Sequence, residues 1–108
     1  MIKVNFLKAQ KNGVLVGFRL KGHAGAGVSG NDIVCAAVSS AAYMAANTIT
    51  EVLRISADVF VDDRGEMRLD APLDEAPKCQ EILLGFRLHL LELEKEYPEN
   101  LKVSDLEV

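Results

Sequence analysis

Leu20-Lys21-Gly22-His23-Ala24-Gly25-Ala26-Gly27-Val28-Ser29-Gly30-Asn31-Asp32-Ile33-Val34-Cys35-Ala36-Ala37-Val38-Ser39 leads out of one hydrophobic pattern and into another. Before it, Val14, Val16, Phe18 and Leu20 alternate with their neighbours, the period of a half-buried strand. Beyond it, Ile33, Val34, Ala37, Ala41, Met44, Ala45, Thr48, Ile49 and Val52 recur at three- and four-residue intervals. Neither proline nor glycine occurs from Asp32 to about Leu53, which predicts one long helix. At the junction Gly22, Gly25, Gly27 and Gly30 place half of the chain's eight glycines in a short loop. Backbone there must turn tightly or lie close to a ligand, and a long loop that merely needs positive φ is the plainer reading.

Working outward, Ile2, Val4 and Phe6 alternate with Lys3 and Asn5, and Lys11-Asn12-Gly13 supplies a turn. Strands over 2–8 and 14–21 are therefore expected to pair antiparallel. After the long helix, whose alanines suit close packing on a sheet, Ala57, Val59 and Val61 alternate again. Asp63-Arg64-Gly65 turns the chain into a short strand with Met67 and Leu69, ended by Pro72. A second helix, capped by Asp74 and with Pro77 in its first turn, runs through Cys79, Ile82, Leu83, Phe86, Leu90 and Leu93 to Tyr97. Leu84, Leu88 and Leu91 widen its apolar face, which reads first as core and second as a dimer interface. Leu101 and Val103 begin a final strand. The order β-β-α-β-β-α-β predicts a single α+β domain over residues 1–108, two helices packed on a mainly antiparallel sheet.

Composition narrows the function classes. The chain has 108 residues, 49% hydrophobic and 26% charged, the profile of one globular domain. The start Met1-Ile2-Lys3-Val4-Asn5-Phe6 lacks the marks of a secretory signal, and no apolar stretch is read as approaching the roughly 20 residues that span a bilayer. A cytoplasmic protein without a membrane partner is expected. Cys35 and Cys79 then read as thiols, and two histidines without paired spacing make no metal site. A net charge of −4 argues against direct nucleic-acid binding and fits a basic peptide partner better.

The chemistry gathers at the junction. With Asn31 or Asp32 as N-cap, Cys35 falls in the first helical turn, where the dipole and unpaired N–H groups favour a thiolate. By position alone, a small buried hydrophobe remains the ordinary role of such a cysteine. His23 ends the preceding strand twelve residues earlier, so the loop can return imidazole to sulfur as general base and later acid; a loop-stabilising hydrogen bond is its other reading. Asp32 reads as helix cap or as orienter of His23. Ser39, four residues after Cys35, shares its helix face, although a back-bond to a helix carbonyl is the commoner fate of such a hydroxyl. Backbone N–H groups from Gly30 to Cys35 are candidates for an oxyanion hole. Cys79 and His89 form a second pair, ten residues apart in the second helix, where packing is expected of both. Glu92, Glu94 and Glu96 read as a solvated face.

Gly25-Ala26-Gly27-Val28-Ser29-Gly30 also satisfies G-x-G-x-x-G between a strand and a helix, the fingerprint of a dinucleotide site. The acidic residue expected about 20 positions on is missing, and the preceding strand looks like half of a hairpin. Gly22-His23-Ala24, the glycine-bearing loop and Asp32-Ile33-Val34-Cys35-Ala36-Ala37-Val38-Ser39 instead closely resemble the ribosomal-processing cysteine protease family. The order of elements matches as well. That resemblance implies a homodimeric bacterial α+β enzyme that trims an N-terminal extension from large-subunit ribosomal protein twenty-seven. Cys35 and His23 would be its catalytic pair, and no cofactor is implied; Asp32 and Ser39 are the supporting residues offered by their own positions. The loop bearing Gly22, Gly25, Gly27, Gly30 and Asn31 would order over bound peptide. A non-enzymatic ribosome-assembly module holding the same basic precursor is the alternative.

Overall fold

The computed structural model describes residues 1–22 and 29–108, with residues 29–32 as backbone only. Strands β1 (Ile2–Lys8), β2 (Leu15–Lys21), β3 (Asp58–Val61), β4 (Met67–Asp70) and β5 (Leu101–Glu107) form one sheet in the order β3-β4-β2-β1-β5. Neighbours are antiparallel except β1 and β5, which run parallel. Helices α1 (Ser29–Asn47) and α2 (Gln80–Glu96) cover one face. The expected α+β class and element order are those observed.

Pairing in the first hairpin sets Phe6 opposite Phe18 and Val4 opposite Leu20. The turn is closed by Asn12, whose side-chain oxygen accepts the Val14 N–H at 3.1 Å, while Gly13 takes the left-handed conformation that its lack of a Cβ permits. Phe86 of α2 meets both rings edge-on, 5.3 Å from Phe6 and 5.0 Å from Phe18 between centroids, which fixes α2 over the middle of the sheet. Gly17 lets β4 approach: a Cβ there would collide with the Leu69 carbonyl oxygen.

The long helix differs from expectation in three respects. It begins at Ser29, earlier than Asp32, and after Asn47 it widens into a π-helical turn over Thr48–Val52. Thr48 and Thr50 explain the change, because each hydroxyl donates to the carbonyl four residues back, at Met44 and Ala46, and competes with the ladder. Its buried stripe is Val34, Val38, Ala42, Ala45 and Ile49, while Ile33, Met44 and Val52 face outward. An alanine-rich helix is apolar on most sides, so periodicity alone leaves its rotation undetermined. The segment Ile33–Val52 is also long and apolar enough to cross a membrane, contrary to the expectation that none is. Here its stripe is spent on the sheet.

Asp74 does not cap the second helix. The Pro72 carbonyl instead accepts the N–H groups of Glu75 and Ala76, and a 3-10 turn over Ala76–Cys79 leads into α2. Gln80 then locks helix to sheet, its amide bonding both backbone groups of Leu15, at 2.9 and 2.7 Å. Leu84 and Leu88, read first as core, are exposed. Glu94 is more than a solvated acid, since its carboxylate accepts the Val103 N–H at 2.8 Å and caps part of the β5 edge.

Candidate active site

Where β2 ends, Gly22 adopts a φ of 101° and lies so close to β1 that a Cβ would strike the Met1 carbonyl oxygen. No other residue fits that position without moving a strand. Gly22 opens onto a pocket of about 200 Å³ whose floor is Ile2 and Leu20. Cys35 and Ser39, one helical turn apart, form the α1 wall, and Arg64 and Gly65 close the far side. The pocket is thus made where the ends of β1 and β2, the body of α1 and the β3–β4 turn converge.

Cys35 is half-buried and in no disulfide. It lies in the second turn of α1, since the helix starts at Ser29; the expected first-turn position is corrected. Two consequences follow. The dipole acts on it less than a first-turn position would imply, because that field falls off within the first turn. The N–H groups of Ile33, Val34 and Cys35 are taken up by the helical ladder, so the amides able to hold an oxyanion shrink from the Gly30–Cys35 run to the first turn. Ser39 is half-buried, and among the described residues its hydroxyl makes no back-bond of the kind Thr48 and Thr50 make.

His23, Gly25 and Gly27 lie outside the described residues, as do the side chains of Asn31 and Asp32. The pairing of His23 with Cys35, the role of Asp32 and the ordering of the loop therefore have no geometry here. Gly30 belongs to the first turn of α1. The dinucleotide reading loses its framework independently of the loop, because β2 pairs antiparallel with both β1 and β4 and no parallel βαβ unit is built on it.

The second cysteine–histidine pair separates. Cys79 is fully buried, with its Sγ 3.8 Å from the Glu75 carbonyl oxygen, as packing requires. Burial, and then the charge of Glu75, push its thiol pKa up. His89 is exposed, against expectation, and lines a hollow of about 630 Å³ between α1 and α2 together with Met44 and Gly85. A neighbouring hollow of about 650 Å³ lies by Thr48 and Lys78. Both are larger than the Cys35 pocket, and Cys35 lines neither.

Arg64 is the pocket residue that sequence reading missed. It sits on a turn held by Asp62, whose Oδ1 accepts the N–H groups of Arg64 and Glu66 at 2.9 Å each, with Gly65 at a φ of 87°. The turn was legible in Asp63-Arg64-Gly65. That it reaches Cys35 depends on β4 lying beside β2, which no local signal encodes.

A family model described as Cysteine protease Prp matches residues 1–102. Ribosomal processing cysteine protease Prp of Staphylococcus aureus is 34% identical over 89 residues, 79% of this chain and 81% of the relative. The Bacillus subtilis protein of that name is 27% identical over 109 residues, 96% of each chain. Among solved structures, a Streptococcus mutans protein superposes with a TM-score of 0.87 at 29% identity, covering 100% of this chain and 96% of that one. The S. aureus Prp, crystallised with a covalently linked product peptide, superposes at 0.85 and 28% identity, covering 98% of this chain and 100% of that one. A whole-chain family match, relatives similar over most of their length and a shared sheet topology agree with the thiol-bearing pocket: the chain belongs to the Prp family of ribosomal-processing cysteine proteases.

Proposed function

We propose that this protease removes the N-terminal extension of large-subunit ribosomal protein twenty-seven, with Cys35 as nucleophile and His23 as base. The observation that carries the site is the convergence of Cys35, Ser39 and Gly22 on one pocket, Gly22 being bonded directly to His23. His23 takes the Cys35 proton and the thiolate attacks the scissile carbonyl carbon. N–H groups at the start of α1 hold the resulting oxyanion. Collapse breaks the C–N bond as His23 protonates the leaving amine, and a water deprotonated by His23 then hydrolyses the thioester. Asp32 lies inside the first turn of α1 and not at its cap, which leaves it the role of orienting His23, and Ser39 supports the thiol wall. Gly25, Gly27, Gly30 and Asn31 belong to the segment that shapes the peptide site.

The protease acts as a homodimer in the bacterial cytoplasm. Supporting the dimer are apolar side chains left exposed on the helical layer, Ile33, Met44, Leu84 and Leu88, more than a lone helical surface needs. Supporting the compartment are its bacterial relatives. Mass analysis of the extended ribosomal protein tests the central reading: incubation with wild type removes the extension, and incubation with Cys35→Ala leaves it. Trimming by Cys35→Ala at the wild-type rate would sink it.

A further inference from the structure

The net charge of −4 conceals a division of charge that the strand register exposes. On the sheet face away from the helices, Lys3 stands directly opposite both Lys21 and Lys102, so three lysines cross β2, β1 and β5 in one row. Like charges in directly opposed positions destabilise a sheet. Among the described residues none of the three makes a salt bridge or a side-chain hydrogen bond that would offset this. The next row sets Phe60, Arg68 and Arg19 side by side. The Arg68 guanidinium lies 4.2 Å over the Phe60 ring, its Nε is buried without a partner, and Phe60 as a residue is 44% exposed. The strand carboxylates of this face, Asp58 and Asp70, fall one row further from the lysines, and Asp70 is already paired with Arg19 at 2.8 Å.

We propose that this open face binds single-stranded RNA, the lysine row taking phosphates and the Phe60–Arg68 pair stacking a base. Two inter-strand spacings, about 10 Å, separate Lys21 from Lys102, a span that flexible lysine stems match to consecutive phosphates. The aromatic–guanidinium platform selects RNA over an acidic peptide or a lipid headgroup, neither of which offers a base to stack. Position gives the binding a use. Lys3 and Lys21 adjoin Ile2 and Leu20, the floor of the Cys35 pocket, so RNA on one face lies at the same sheet end as the thiol on the other. This use rests on the ribosomal-protein substrate proposed above, since a basic ribosomal protein has its own attraction for RNA phosphates. The expectation of no nucleic-acid contact came from net charge, which averages over faces.

The test is fluorescence anisotropy of a labelled twelve-nucleotide oligouridine RNA titrated with the full chain. Cleavage of a free extension peptide is measured alongside, as a control for folding and for the site. Binding is expected at 50 mM salt, with affinity falling with the logarithm of salt at a slope of about −2, as three single-strand phosphate contacts give. Lys3→Gln/Lys21→Gln/Lys102→Gln removes the binding and spares peptide cleavage. Each single variant lowers the slope by about 0.7, and Phe60→Ala weakens binding about 10-fold. The proposal is overturned if RNA leaves the anisotropy unchanged, if the triple variant binds like wild type, or if polyglutamate displaces RNA as well as unlabelled RNA does. It is also overturned if only anionic vesicles show the lysine dependence. Lysine-dependent RNA binding by a chain that leaves the precursor uncut would fail the proposed substrate and keep the RNA surface; the reverse result would do the opposite.

Discussion

Cys35 and Cys79 sit on the same kind of element with opposite surroundings. Cys79 is the residue that caps α2, the position where helix electrostatics most favour a thiolate, whereas Cys35 is already in the second turn of α1. Yet Cys79 is sealed in the core with its pKa raised, and Cys35 looks into a pocket. Desolvation and access outrank the helix terminus here. The proposed reactivity of Cys35 must draw on more than its place on the helix, which supplies less than the sequence suggested.

The sharpest way to break this contrast is substitution. Cys35→Ala should lower kcat/KM for the extension peptide by about 10⁴-fold or more, while Cys79→Ala keeps it within about 2-fold. Equal losses would erase the distinction. Alkylation comes next: at neutral pH iodoacetamide should modify Cys35 about 100-fold faster than Cys79, whose reaction waits on opening of the core, as read by peptide mass mapping over time. Ser39→Ala should lower kcat/KM about 10-fold with an unchanged Tm, since the residue borders the pocket rather than the core. A Tm loss with normal kinetics would move Ser39 to the structural side.

Two smaller effects concern Cys79 itself. Cys79→Ser should cost about 1–3 kcal/mol in urea unfolding, because the hydroxyl is more costly than the thiol to bury among apolar neighbours, and should leave cleavage intact. The pH dependence has a definite sign. A thiol whose folded pKa is raised above its value of 9.0 stabilises the fold fully below that value, and the contribution is lost as pH rises through the folded pKa. Wild type should therefore lose more stability than Cys79→Ala on going from pH 8 to pH 10.5; parallel curves would contradict the burial effect.

Much of this was legible locally. Alternation of Ile2, Val4 and Phe6, the Asn12-Gly13 turn and the glycine-free run after Asp32 fix their elements because each is a short-range pattern. What was not legible depends on partners distant in sequence. The rotation of α1 is chosen by the sheet beneath it, and the start of α2 by the Pro72 carbonyl. The exposure of His89 follows from the hollow left beside α1, and the reach of Arg64 from strand order. Gly22 and Cys35 do border one pocket, but their spacing left the helix register open, and that register decided which amides of α1 stay outside the helical ladder.

The parallel pairing of β5 with β1 ties one side of the pocket floor to a part of the chain far away in sequence. Ile2, part of its floor, is held through Leu101, and Asn5 through a 2.7 Å bond from the Ser104 hydroxyl, 99 residues downstream. Until residues 101–107 are made, that side of the floor is a bare strand edge, and contacts so distant in sequence form slowly. The thiol pocket thus leans on a strand that does not itself line it: removing β5 would leave the Ile2 side of the floor as an unpaired edge.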